Sequence, residues 1–160
     1  MTQEERVQYG KLTEEVVVKS MVAFAKENDI PCTAVLYARN SIEDQQMKID
    51  FSMTSNNGVK HFNVKSVLPD NATTPNFTCP LSVTTDTYKL VDYIVFLDAY
   101  DPSRNMIPEY CYVINRSDLC ALNEQGSDVI RKMTTNNGSF YLINKMFIKA
   151  NASKIKMVYD

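Results

Sequence analysis

The stretch Ser55-Asn56-Asn57-Gly58-Val59 constrains this chain more than any other, because it lies between two runs of alternating character. Over residues 46–53, Met47, Ile49, Phe51 and Met53 alternate with Lys48, Asp50 and Ser52. Over residues 59–67, Phe62 and Val64 alternate with His61, Asn63 and Lys65. Period-two patterning marks half-buried strands, and Asn-Gly supplies the positive-φ residues of a type I′ hairpin turn. With Asn57-Gly58 as the turn, Asn56 pairs with Val59, Met53 with Phe62, Ser52 with Asn63, Phe51 with Val64 and Asp50 with Lys65. The apolar side chains then share one face and the polar ones the other. Directly opposed residues have Cβ atoms about 4.5–5.5 Å apart, so Asp50, Asn63 and Lys65 form one polar strip. Its bland reading is an ordinary Asp–Lys pair on a solvated face.

Other segments supply the remaining elements. Val17, Met21, Phe24 and Ala25 recur at helical spacing, which predicts a helix over 11–28, capped by Thr13 and ended by Ile30-Pro31. Cys32 to Tyr37 reads as a strand, and Glu109–Ile114 as another. The nearly continuous apolar run Tyr93–Leu97 reads as a central strand covered on both faces. Residues 117–132 read as helix and 139–149 as one or two final strands. Residues 68–88, rich in Thr, Asn and Pro, are expected as a long loop with about one helical turn. Helix, then meander, then strands with helical cover predict a mixed α/β fold around one sheet, in a single domain over residues 1–160.

Composition narrows the function classes. Of 160 residues, 44% are hydrophobic and 22% charged, which excludes a disordered tail, a collagen-like repeat and a membrane protein. The lone histidine, His61, excludes any mechanism needing two. Cys32, Cys79, Cys111 and Cys120 contain no Cys-x-x-Cys pair, so scattered reduced thiols are expected, not a zinc site. The charged start Met1-Thr2-Gln3-Glu4-Glu5-Arg6 lacks the apolar core of a signal peptide, and a cytoplasmic location is expected.

The hairpin resembles the core of a nuclease family. An Asp on one strand and an acid-x-Lys tripeptide on the next characterise the PD-(D/E)XK nucleases, which share the restriction-endonuclease-like fold. Here the corresponding residues are Ile49-Asp50-Phe51, then Asn63-Val64-Lys65-Ser66. The likeness continues in Gly10-Lys11-Leu12-Thr13-Glu14-Glu15-Val16-Val17 on the first helix and in Val91-Asp92-Tyr93-Ile94-Val95-Phe96 downstream. It continues further in Tyr112-Val113-Ile114-Asn115-Arg116-Ser117-Asp118-Leu119, and spans roughly residues 8–125. It implies a mixed central β-sheet flanked by helices, with a restriction-endonuclease-like core. It also implies a Mg2+- (or Mn2+-) dependent deoxyribonuclease. Asp50 would be the central metal ligand, joined by Asn63 and the Val64 carbonyl. Lys65 would orient the attacking water and stabilise charge at the phosphate. Glu14 would complete the metal or water shell, with Glu15 taking its place if the helix is rotated. Oxygen ligands suit a hard cation, which lowers the pKa of bound water and screens the scissile phosphate.

One residue departs from the family pattern: Asn63 stands where the family has its second acid, and it brings an amide oxygen but no charge. This leaves two readings, a working variant endonuclease or a catalytically lapsed nuclease-fold module that binds DNA or a protein partner for assembly or inhibition. Asp98 is a candidate to compensate, against its reading as a strand-end acid. His61 is a candidate near-site base or phosphate contact, against its reading as an exposed strand histidine. The formal charge of -2, from 17 basic and 19 acidic residues, excludes a uniformly basic coat. Residues 131–160 nevertheless hold six basic residues against Asp160 alone, a region suited to phosphates. DNA is the expected partner, and symmetric duplex cleavage would call for a homodimer. Compact size and an Asn/Thr/Met-rich composition suggest a phage or mobile-element origin.

Overall fold

A computed structural model describes residues 1–159. It is a mixed α/β fold in which a six-stranded sheet is flanked by helices and by a second, three-stranded sheet. Helix α1 (Gln3–Glu27) leads into strand β1 (Cys32–Leu36), the short helix α2 (Ile42–Gln45) and the hairpin β2 (Phe51–Ser55) and β3 (Gly58–Ser66). Strands β4 (Asn76–Pro80), β5 (Tyr93–Leu97) and β6 (Tyr110–Asn115) follow, then helix α3 (Arg116–Glu124). The chain closes with β7 (Ile130–Thr135), β8 (Gly138–Asn144), helix α4 (Lys145–Asn151) and β9 (Ser153–Lys156).

The large sheet runs β1-β2-β3-β5-β6-β9, and the small one β4-β8-β7. Only β3 and β5 are parallel; the other pairs in both sheets are antiparallel. On one face of the large sheet, Val16, Val17 and Met21 of α1 pack on Phe51, Phe62, Val95 and Leu97. On the other, the small sheet brings Phe77, Cys79, Tyr141 and Ile143 against Ile94, Phe96 and Tyr112. β5 is buried from both sides, which is why its sequence is apolar without alternation.

Several elements differ from the expectations. α1 begins at Gln3, where the Thr2 hydroxyl accepts from Glu5 N–H and two glutamates occupy the first turn. Thr13 is therefore no cap; it is buried and its hydroxyl donates to the Gly10 carbonyl. The β2–β3 turn residues are Asn56 and Asn57, with Ser55 paired to Gly58 at φ +100. Neither Asn has positive φ, so the turn resolves into a glycine bulge, not a type I′ turn. The register accordingly slips by two, pairing Phe51 with Phe62 and Ser52 with His61. A two-residue slip preserves which side chains share a face. The 68–88 segment contains β4 and short 3-10 turns, not a loop alone. Residues 130–132 are strand, because α3 stops at Glu124 and Gly126 turns the chain at φ +67. Residues 145–149 belong to α4, whose cap is the Asn144 side chain accepting from Phe147 N–H.

Candidate active site

β3 outruns its partner: its last ladder pair with β2 is Phe62–Phe51, and Asn63 to Ser66 continue along β5 alone. Before β2, the chain turns sharply at Lys48, whose φ is 61. Together these open a notch in the sheet beside β3, and Asp50 fills its rim. The Asp50 N–H still donates to Phe62 O at 2.8 Å, while its Oδ2 accepts from Val64 N–H at 2.7 Å. Because N–H and C=O of one strand residue point to the same side, the Val64 carbonyl also faces the notch. Asn63 donates from Nδ2 to Lys48 O at 2.8 Å, which orients the amide, and its buried Oδ1 has no partner. The cavity of about 480 Å3 over the notch is lined by Glu14, Asp44, Asp50, Asn63, Val64 and Lys65, among others.

Glu14, Asp44 and Asp50 each offer a carboxylate oxygen within 4.8 Å of the others. Arg39 donates to Glu14 Oε2 at 2.6 Å. It crosses α1 directly over Gly10; a Cβ there would lie 1.9 Å from Arg39 Nη2. Lys65 donates to Tyr88 Oη at 3.1 Å and stands 5.5 Å from the Tyr88 ring centre.

Burial pushes the Glu14 carboxyl up to about 8; the Asp50 charge adds to the rise and Arg39 opposes it. Burial likewise raises Asp50 to about 7, against the pull of the Val64 N–H and Lys65, while Asp44 adds to the rise. For Lys65, burial opposes the charge but the surrounding groups, Tyr88 foremost, outweigh it and leave the pKa above the ordinary lysine value. Carboxylates this close cannot all ionise near neutrality without a counter-charge. The donors are oxygens throughout: carboxylates, the orphaned Asn63 Oδ1 and the Val64 carbonyl. Such a set fits a hard divalent cation.

The structure brings Glu14, Asp50, Asn63, Val64 and Lys65 to one cavity. Asp50 stands level with Asn63, not opposite Lys65, because of the register slip. Glu14 is buried whereas Glu15 is exposed, so α1 presents Glu14 to the cavity. Asp98 and His61 lie elsewhere. Asp98 pairs with Lys145 at 2.8 Å and with Lys149; although half-buried, its carboxyl is held below the usual range by those ammonium groups. His61 Nδ1 is 2.6 Å from Ser52 Oγ, outside the cavity lining. Sequence reasoning missed Asp44, Arg39 and Tyr88. Asp44 carried one readable signal: Ser41 three residues earlier caps α2 by accepting from Asp44 N–H. Nothing local marks Arg39 or Tyr88. Cys32, Cys79, Cys111 and Cys120 are free thiols.

No helix among the described residues is long and apolar enough to cross a membrane. No protein-family model matches the chain, and neither does any curated protein. Among solved structures, the chain is similar to a nuclease from a fusselovirus, with a TM-score of 0.54 and 13% identity. That likeness covers 92% of this chain and 86% of the viral one. The two proteins share a fold, and the cavity described above is the candidate active site that this chain builds on it.

Proposed function

We propose that the protein is a metal-dependent DNA endonuclease of the PD-(D/E)XK, restriction-endonuclease-like type, acting as one domain over residues 1–160. The observation that carries this reading is Asn63 Oδ1, buried without a partner in a cavity it shares with three carboxylates. A buried acceptor left unpaired costs about 1–3 kcal/mol, which a bound cation would offset. Asp50, Asn63 Oδ1 and the Val64 carbonyl would hold Mg2+ or Mn2+, with Asp44 and Glu14 completing the shell directly or through water. The ion, when bound, supplies charge neutralisation at the phosphate and a bound water of lowered pKa.

The chain's own groups do the rest. Lys65, fixed by the Tyr88 hydroxyl, offers a permanent positive charge and further N–H donors to the phosphate oxygens as negative charge builds there. The Val64 N–H holds the Asp50 carboxylate in one orientation. Arg39 pairs with Glu14 and opposes the rise that burial and Asp50 impose on its carboxyl, which holds the group in place for a cation to take. The shared fold with a viral nuclease supports the reaction class. A second reading, a lapsed module that only binds, draws on the neutral Asn63 and on the Arg39–Glu14 pair that already compensates one carboxylate.

Incubating plasmid and branched DNA with the protein and Mg2+ or Mn2+ separates these readings. Nicking or cleavage that Asp50→Ala and Lys65→Ala both abolish is expected. Metal binding without cleavage of any substrate would instead establish the lapsed module.

A further inference from the structure

A second Asn-Asn-Gly triplet, Asn136-Asn137-Gly138, tops the β7–β8 hairpin, with Gly138 at φ +117. β4 pairs with β8 only as far as Phe140, so the tip from Thr134 to Ser139 is a two-stranded ribbon without a sheet neighbour, while Arg131 and Lys132 lie at its base, where β4 still flanks β8. Every residue from Arg131 to Ser139 is exposed. Two-stranded ribbons with no packed face are marginal in water, and this one is polar along most of its length.

Charge and position both point to its partner. From Val129 to Tyr159 the chain contains no acid. Lys145 and Lys149 are engaged by Asp98, whereas Arg131 and Lys132 make no ion pair among the described residues. Lys132 is paired with Tyr141 and therefore shares its face, the one turned toward the large sheet. Arg131, paired with Leu142, lies on the opposite face. A groove of about 540 Å3 lined by Lys65, Ser66, Thr78, Pro80, Ser139 and Phe140 runs between hairpin and sheet. It shares Val64, Lys65 and Ser66 with the candidate active site, so the two recesses adjoin along β3.

We propose that the β7–β8 hairpin is a duplex-DNA-contacting arm: its uncharged tip enters a groove of the duplex presented to Lys65, and Arg131 and Lys132 at its base, one on each face, hold backbone phosphates. This rests on the nuclease reading and adds where the duplex lies. A two-stranded β-ribbon has the width that a major groove admits, and contacts to phosphates fix register without reading sequence.

The test is equilibrium binding of a fluorescent duplex in Ca2+, across a NaCl series, for the wild type and Arg131→Ala/Lys132→Ala. Losing two phosphate contacts should flatten the slope of log K against log salt by about 1.8 and weaken binding about tenfold or more near physiological salt. Both residues are exposed, so the variant's melting curve and Mn2+ affinity should match the wild type. Lys19→Ala/Lys26→Ala, on α1 across the sheet from the hairpin, should leave affinity and slope unchanged. A wild type that cuts DNA, with a hairpin variant binding at equal affinity and slope, overturns the arm alone. A wild type that neither binds nor cuts DNA overturns the nuclease reading itself.

Discussion

Replacing Asp50 by Asn should stabilise the metal-free protein while abolishing its function. In the fold, burial raises the Asp50 carboxyl to about 7, whereas an unfolded chain ionises near 3.9. The native state therefore holds its proton more tightly, and stability is lost as pH rises between those two values. About three pKa units correspond to about 4 kcal/mol, an upper bound because Glu14 and Asp44 share the titration. Half of that, about 2 kcal/mol, would shift the melting temperature of a chain this size by about 4–8 °C. Asn cannot ionise and so escapes this penalty, and its Oδ1 can still accept from Val64 N–H. In EDTA, Asp50→Asn should melt higher than the wild type at pH 8, with the gap closing toward pH 4. Added Mn2+ should raise the wild type's melting temperature and leave the variant's unchanged. A variant that melts below the wild type at pH 8, or a gap that ignores pH, would refute the reasoning.

Lys65→Met keeps the aliphatic stem and removes the charge; cleavage should fall by about 10²–10³-fold in single-turnover assays, with Mn2+ affinity retained. Gly10→Ala offers a helix-propensity gain of about 0.8–1.0 kcal/mol, but its Cβ would sit 1.9 Å from Arg39 Nη2. The guanidinium is the far end of a flexible side chain and should swing off Glu14, so a denaturant melt should show less than the full propensity gain; a variant that gains all of it would contradict that placement. Phe51→Ala, which empties the stack with Phe62 at 4.6 Å between ring centres, should cost about 3–5 kcal/mol by chemical denaturation.

Residues close together in the chain were the readable part of the site. Asp50, Asn63 and Lys65 are brought together by one hairpin, and alternation assigns them to a common face whichever turn geometry wins. The turn itself was misread because Asn-Asn-Gly serves two geometries, and only tertiary context selects the one with Gly58 alone at positive φ. β5 was legible because burial on both faces leaves a continuous apolar run. β7 was not: only Ile130 in it is buried, and its strand conformation comes from pairing with β8, not from any pattern of its own. β4 was hidden among turn-forming residues, with just Phe77 and Cys79 turned inward. The start of α1 was masked by Gly10, a poor helix former retained where Arg39 crosses. Arg39 and Asp44 belong to the aperiodic stretch between β1 and β2, so their arrival beside Glu14 is purely a tertiary event.

The central claim is that the buried carboxylates form a divalent-metal site, and calorimetric titration of Mn2+ tests it most directly. Midpoints of about 7 for Asp50 and about 8 for Glu14 leave both partly protonated at pH 7. A cation that takes both carboxylates should displace between about one and two protons per ion bound at pH 7. Repeating the titration in two buffers of different ionisation enthalpy counts those protons. The account predicts one Mn2+ per chain, proton release near pH 7 that vanishes above pH 9, and no binding by Asp50→Asn. Binding that Asp50→Asn leaves intact, or no binding by the wild type, would contradict it.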